Sequence, residues 1–143
     1  MNAELENNLK IMNIKKILKD ISKFFVGASK QIANALKIGK DVGNIVKQVV
    51  DSPLLDVIVN LTKTPLDNVA LAYVRPRINS WLENIGWAEK KISDFSTETL
   101  PHVMNAISAE VATLQAEYEG LDLTRQQAIA AMQVVYDGKI VEV

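Results

Sequence analysis

Apolar side chains recur in alternating steps of three and four residues along the first third of the chain. The positions are Ile11, Ile14, Leu18, Ile21, Phe25, Ala28, Ile32, Ala35, Gly39, Val42, Val46 and Val49, and eleven of these twelve are apolar. That is the period of a helix presenting one continuous seam to a partner. Ile17, Phe24, Ile38 and Ile45, each one residue before a seam position, widen the stripe. The opposite face is basic: Lys16, Lys23, Lys30 and Lys37 recur at intervals of seven, with Lys19, Lys40 and Lys47 beside them. A helix from Ile11 to Val49 would be roughly 57 Å long at 1.5 Å per residue, more than the diameter of a compact domain of this size. Gly27, Gly39 and Gly43 fall inside the pattern, and each costs about 1 kcal/mol against alanine in a helix. A break or kink near Gly39–Gly43 is therefore expected, rather than a straight rod with a projecting end.

Beyond residue 50 the punctuation predicts shorter helices. Asp51-Ser52-Pro53 supplies a cap and a first-turn proline for a helix reaching about Leu61. Thr64 and Asp67 have the spacing of a capping box for a helix ending near Arg75, where Pro76 stops or kinks it. Ile78, Trp81, Leu82, Ile85, Ala88, Ile92 and Phe95 mark the next helix. Thr99 caps another, striped by Leu100, Met104, Ile107, Val111, Leu114 and Tyr118 and ended by Gly120. Thr124 and Gln127 form a last capping box before Ile129, Met132, Val135 and Tyr136, closed by Gly138, and Lys139 to Val143 has the alternation of an extended tail. The expected fold is all-α: a long amphipathic N-terminal helix packed with four to five shorter helices.

Charge divides the chain in the same place. Residues 1–50 carry nine lysines against four acids, and residues 51–143 carry seven basic against thirteen acidic residues. The first segment reads as a long basic helix and the second as an acidic helical body, two surfaces suited to attract each other within one chain or between copies. The apolar fraction is 48%, which argues against wholesale disorder, and the chain lacks cysteine, which excludes disulfides and thiolate chemistry. The N-terminus is acidic and has no leader-like apolar run, and Val42 to Leu61, the most apolar stretch, is interrupted by Lys47, Asp51, Pro53 and Asp56. Neither a signal peptide nor a membrane span is expected, in keeping with the cytoplasm or a virion.

Little in the sequence points to catalysis. His102 is the single histidine and follows Pro101; Glu98 precedes it by four residues, but across an expected helix cap, so neither a metal site nor an acid–base pair is implied. The six glycines form no phosphate-binding loop. Glu117, Glu119 and Asp122 gather at a helix end, as a solvated acidic surface does. No catalytic residue, cofactor, metal or small-molecule substrate is expected. One further constellation, Tyr73-Val74-Arg75-Pro76-Arg77 followed by Trp81 and Trp87, carries residue types common at interface hot spots, and Arg77 is spaced to stack on Trp81.

Three roles fit the lysine-backed helix. It can join a protein partner or another copy of the chain through its seam, with Ile11, Ile14, Leu18, Ile21, Phe24, Phe25 and Ile32 as contacts and Arg75, Arg77 and Trp81 as a second patch. It can lie on an anionic membrane surface, with Phe24 and Phe25 as its anchors. It can meet nucleic-acid phosphates through Lys16, Lys23, Lys30 and Lys37, without reading sequence. The layout, with its lysine-rich first helix, proline-started short helices and acidic helical end, is similar to small helical accessory proteins of tailed bacteriophages. That resemblance implies a non-enzymatic structural or particle-associated role, with a holin-like membrane-active role as the alternative.

Overall fold

The computed structural model describes residues 3–38, 51–62, 66–96 and 98–139, with backbone alone for residues 30, 33–38 and 134–139. Among them are five α-helices and no strand: α1 (Ala3–Ile38), α2 (Leu54–Leu61), α3 (Asn68–Asn84), α4 (Leu100–Tyr118) and α5 (Arg125–Lys139), with a 3₁₀ turn at Ile92–Asp94. The expected all-α architecture, with its long first helix against shorter ones, is what the chain adopts. The expected break at Gly39–Gly43 and the tail beyond Lys139 lie outside the described residues.

Helix α4 occupies the centre. Leu100, Val103, Met104, Ile107, Val111 and Leu114 are buried, and so are Asn105, Ser108, Ala109, Glu110, Ala112 and Ala116 on its other sides. A helix apolar around most of its circumference has to be covered on several sides. Helices α1, α3 and α5 each pack against it, α5 also packs on α1, and α2 bridges α1 and α3. The core thus draws Ile17, Ile21, Phe25 and Ile32 from α1, Leu54 and Ile58 from α2, Ala70, Val74, Ile78 and Leu82 from α3, and Ala128 and Met132 from α5.

Two polar contacts fix the α4–α5 pair. Asn105 Nδ2 donates to Gln133 Oε1 at 2.7 Å. Glu110, almost fully buried, is gripped by Arg125, whose Nε lies 2.5 Å from Oε2 and whose Nη2 donates to Oε1 at 3.0 Å. The grip is one charge-assisted hydrogen bond to Oε1 beside a close ion pair at Oε2, which has no hydrogen-bond partner of its own, and it comes from the first residue of α5.

The helix ends follow the sequence in some places and depart from it in others. The Thr124–Gln127 capping box forms: Thr124 N donates to Gln127 Oε1 at 3.0 Å and Gln127 N donates to Thr124 Oγ1 at 3.1 Å. Gly120 ends α4 with φ of +72°, while Gly120 N donates to Glu117 O and Leu121 N to Ala116 O, the paired bonds of a Schellman stop. Gly86 (φ +77°) ends α3 in the same way, with Gly86 N donating to Glu83 O and Trp87 N to Leu82 O. That stop was not anticipated, so Ala88, Ile92 and Phe95 lie beyond the helix rather than on it. Pro76 neither stops nor divides α3, which runs through it. The buried column Ala70, Val74, Ile78 and Leu82 continues on both sides, while the proline itself faces solvent, so packing outweighs a penalty of about 3 kcal/mol.

Three caps differ from expectation. Asp67, rather than Thr64, caps α3, its Oδ1 accepting from Ala70 N at 2.8 Å. Pro53 sits at the cap of α2 instead of its first turn, with no side-chain cap bond, and Leu54 N donates to Lys90 O at 2.5 Å instead. Thr99 occupies the cap position of α4, but its side chain bonds no N–H of that helix; instead Thr99 N donates to Ser96 Oγ and Ser96 N to Thr99 Oγ1, a reciprocal pair one turn earlier. Helix α5 also passes through Gly138 to Lys139 rather than closing there.

Three outcomes are expected in denaturant titrations. Gly27 lies inside α1, exposed, with no atom within 4 Å of an added Cβ, so Gly27→Ala stabilises by about 1 kcal/mol; Gly120→Ala, with equal room but a positive φ, destabilises by about 1–2 kcal/mol. Arg125→Ala leaves the Glu110 carboxylate without its partner and costs about 2 kcal/mol, below the cost for a fully buried pair because Arg125 is itself 56% exposed.

Candidate interaction surface

Helix α1 has 36 residues, and among its described side chains the covered portion runs from Ile14 to Ile32. Ile17, Ile21, Phe25 and Ile32 are buried against the body, joined by the small polar residues Ser22 and Ser29. The Ser22 hydroxyl turns onto the Leu18 carbonyl and touches Met132 Sδ of α5. Seam positions Ile14, Leu18 and Ala28 are half-buried. Phe24 is half-buried and packs edge-on against Phe25, ring centroids 5.9 Å apart. The two phenylalanines expected as membrane anchors are therefore used within the chain: Phe25 is fully buried.

Ile11 departs from the expected seam. All of residues 3–13 are exposed, about three turns of helix, and Leu5 (51%), Leu9 (48%), Ile11 (50%) and Met12 (63%) leave much of their surface in water. The projecting end judged less favourable from the sequence is thus present, at the N-terminal side. At about 100° per residue, Leu5, Leu9 and Met12 fall within about 60° of one another, on the side of α1 roughly opposite the buried residues. Their spacing of four then three is that of a narrow helix–helix seam. Lys16, Lys19 and Lys23, all exposed, carry this outward stripe on along the helix. The side chains of Lys30 and Lys37 lie outside the described residues.

Ile11 and Ile14 face a different direction. With Lys15, Leu18, Asp122, Leu123 and Gln127 they line a groove of about 370 Å³ between α1 and the α4–α5 connection. A second, polar hollow of about 230 Å³ lies between α1, the start of α3 and the end of α4, where Lys16, Asp20, Asp67, Gln115 and Glu119 meet. Asp67 there serves as the α3 cap, and Glu119 Oε2 accepts from Gln115 Nε2 at 2.7 Å, so those carboxylates have structural work already. Among the described residues no group of three or more potential ligands is arranged to hold a metal ion. His102 and Glu98 are both exposed.

The aromatic patch separates into two clusters. Arg77 does not stack on Trp81. Its guanidinium carbon stands 3.6 Å from the Tyr73 ring centroid and Nη1 donates to the Tyr73 carbonyl at 2.8 Å. A backbone carbonyl beside the helix-internal proline thereby gains a donor. Tyr73 in turn meets Tyr118 of α4 at 5.3 Å. Trp81, half-buried, packs edge-on against Trp87, and Trp87 against Phe95. Arg75 is half-buried on the same helix. These residues close the fold along α3, and Arg77 and Tyr118 are the exposed members of the set.

No family model matches the chain, and neither does any curated protein or solved structure. No helix among the described residues is long and apolar enough to cross a membrane.

The inward and outward sides of α1 are separable by mutation. Phe25→Ala is expected to cost about 3–5 kcal/mol through the cavity it leaves, whereas Leu9→Ala changes stability by less than about 0.5 kcal/mol; chemical denaturation of the two variants beside the wild type checks both.

Proposed function

We propose that this chain is a non-enzymatic helical interaction protein that uses the projecting end of α1 to make helix–helix contacts, as a structural component of a larger assembly. The observation that carries the reading is the outward stripe Leu5, Leu9 and Met12, three large apolar side chains on a helix end that its own body does not cover. Exposed large apolar groups gathered on one face mark a contact surface more often than a solvated one. A stripe this narrow suits another helix. The apolar residues of the segment are split between two faces, with Asn7, Asn8, Lys10 and Asn13 interleaved, whereas a lipid interface calls for one broad apolar face. The inward placement of Phe24 and Phe25 further disfavours the membrane-surface alternative. Nucleic-acid contact would rest on the lysines alone, with no arginine in α1 to add planar phosphate recognition. A place in a virion, as the resemblance to phage accessory proteins implies, belongs to this reading as its most specific form.

A photocrosslinking amino acid at position 9, with one at the exposed position 83 on the body as reference, tests it in the cells that produce the protein. Adducts to protein from position 9 but not from position 83 are expected. Adducts to lipid or nucleic acid, or equal labelling from both positions, overturn the reading.

A further inference from the structure

We infer that residues 3–13 are a conditional extension of α1: the helix starts at Ala3 in a long form and after Asn13 in a short form, and the outward stripe exists only in the long one. Every residue of this stretch is exposed, and coverage begins with Ile14. Unwinding it therefore uncovers no core. It gives up only the hydrogen bonds of the helix itself, while the backbone regains its freedom. What remains is a local balance. Extending a formed helix needs no new nucleus, and its equilibrium per residue is about one even for good helix formers. Asn7, Asn8 and Asn13 are poor formers. In the opposite direction, Glu4 and Glu6 suit the first turn, and Glu6 stands four residues before Lys10, the favoured order for a helical ion pair. Opposed contributions of this size leave both forms populated in the free chain.

Asn13 supplies the second start. It is the last exposed residue before the covered portion of α1, and asparagine is among the preferred residues at an N-cap. In the long form it sits inside the helix, where asparagine is disfavoured because its side chain competes for nearby backbone groups. In the short form its side-chain oxygen accepts from the amide of Lys15 or Lys16, the second and third residues of the new helix. Leu5, Leu9 and Met12 share one side only when the helix joins them. If that side is the contact surface proposed above, a partner binds the long form alone, and its apparent affinity is scaled by the fraction of chains that hold it. Asn13 thereby sets how readily the surface is presented.

Hydrogen exchange of the full-length chain in dilute solution, read residue by residue by NMR, tests the two forms. It needs no partner, so its outcome is independent of the crosslinking result. Amides 7–13 donate within the helix only in the long form, whereas amides 21–29 do so in both. Exchange at 7–13 is expected to run roughly a hundredfold or more faster than at 21–29. Asn13→Ala removes the alternative cap and improves the helix interior, and it slows exchange at 7–13 by about fivefold. Asn13→Ser keeps a capping oxygen and changes that exchange by less than about twofold. Amides 7–13 as protected as 21–29, or an Asn13→Ala chain that exchanges there like the wild type, overturns the inference. So does an equal slowing by Asn13→Ser, which would make helix propensity and not capping the cause.

Discussion

A helix whose side chains are buried around most of its circumference cannot exist alone in water, and α4 is such a helix: twelve of its nineteen residues are buried. The placing of the longer helices follows from that requirement. Leu100, Met104 and Ile107 are its largest fully buried side chains, and Ala109, Ala112, Ala116 and Ser108 allow neighbours to approach closely. α1, α3 and α5 are the elements that cover it. The arrangement also explains how a buried charge is tolerated. Glu110 is held where α5 begins, and the Arg125 grip fixes the start of α5 against the middle of α4. Breaking such a contact is far more costly than its net contribution suggests, because the remaining carboxylate would stay out of water.

The same constraint leaves one end of α1 exposed. A helix of 19 residues spans about 28 Å and one of 36 residues about 54 Å. α1 is therefore nearly twice as long as the element it covers and must overhang it. Within the described residues the overhang falls at residues 3–13, where no residue is buried. The exposed leucines there are the surplus of a helix longer than its own core. Solubility alone would favour polar residues at such positions, and Asn7, Asn8 and Asn13 are present among them. Leu5, Leu9 and Met12 align at seam spacing, whereas the equally exposed Ile11 faces another side of the helix.

Much of this architecture was legible from residue order. The seam at Ile21, Phe25 and Ile32, the Thr124–Gln127 box and the Gly120 stop all have local causes, in which a few neighbouring residues determine the outcome. The failures share the opposite property. Pro76 is a breaker by local rules, yet four buried side chains at intervals of four, spread on both sides of it, hold α3 continuous against α4. Arg77 was matched to Trp81 by spacing alone, and it is instead drawn to Tyr73, where a carbonyl beside the proline offers an acceptor. Gly86 was passed over because apolar residues continue beyond it, though those residues reach the core from a turn and a 3₁₀ segment. Ser96 and Asp67 were missed for a milder reason: stronger-looking candidates stood three residues away. The central position of α4 was the largest omission. An all-round apolar helix gives a weaker periodic signal than an amphipathic one, so its stripe marks a helix without showing how completely that helix is surrounded.

The exposure of Ile11 has an axial cause. At about 100° per residue it shares the direction of Ser29, which is fully buried. Ile11 belongs instead to the overhang, where no residue is buried, above the groove it lines with Leu123. The stripe Leu5, Leu9 and Met12 is not the continuation of the inner seam but a separate register on the far side of the helix. The body covers the inner register between Ile14 and Ile32, whereas Leu5, Leu9 and Met12 of the outward register are exposed.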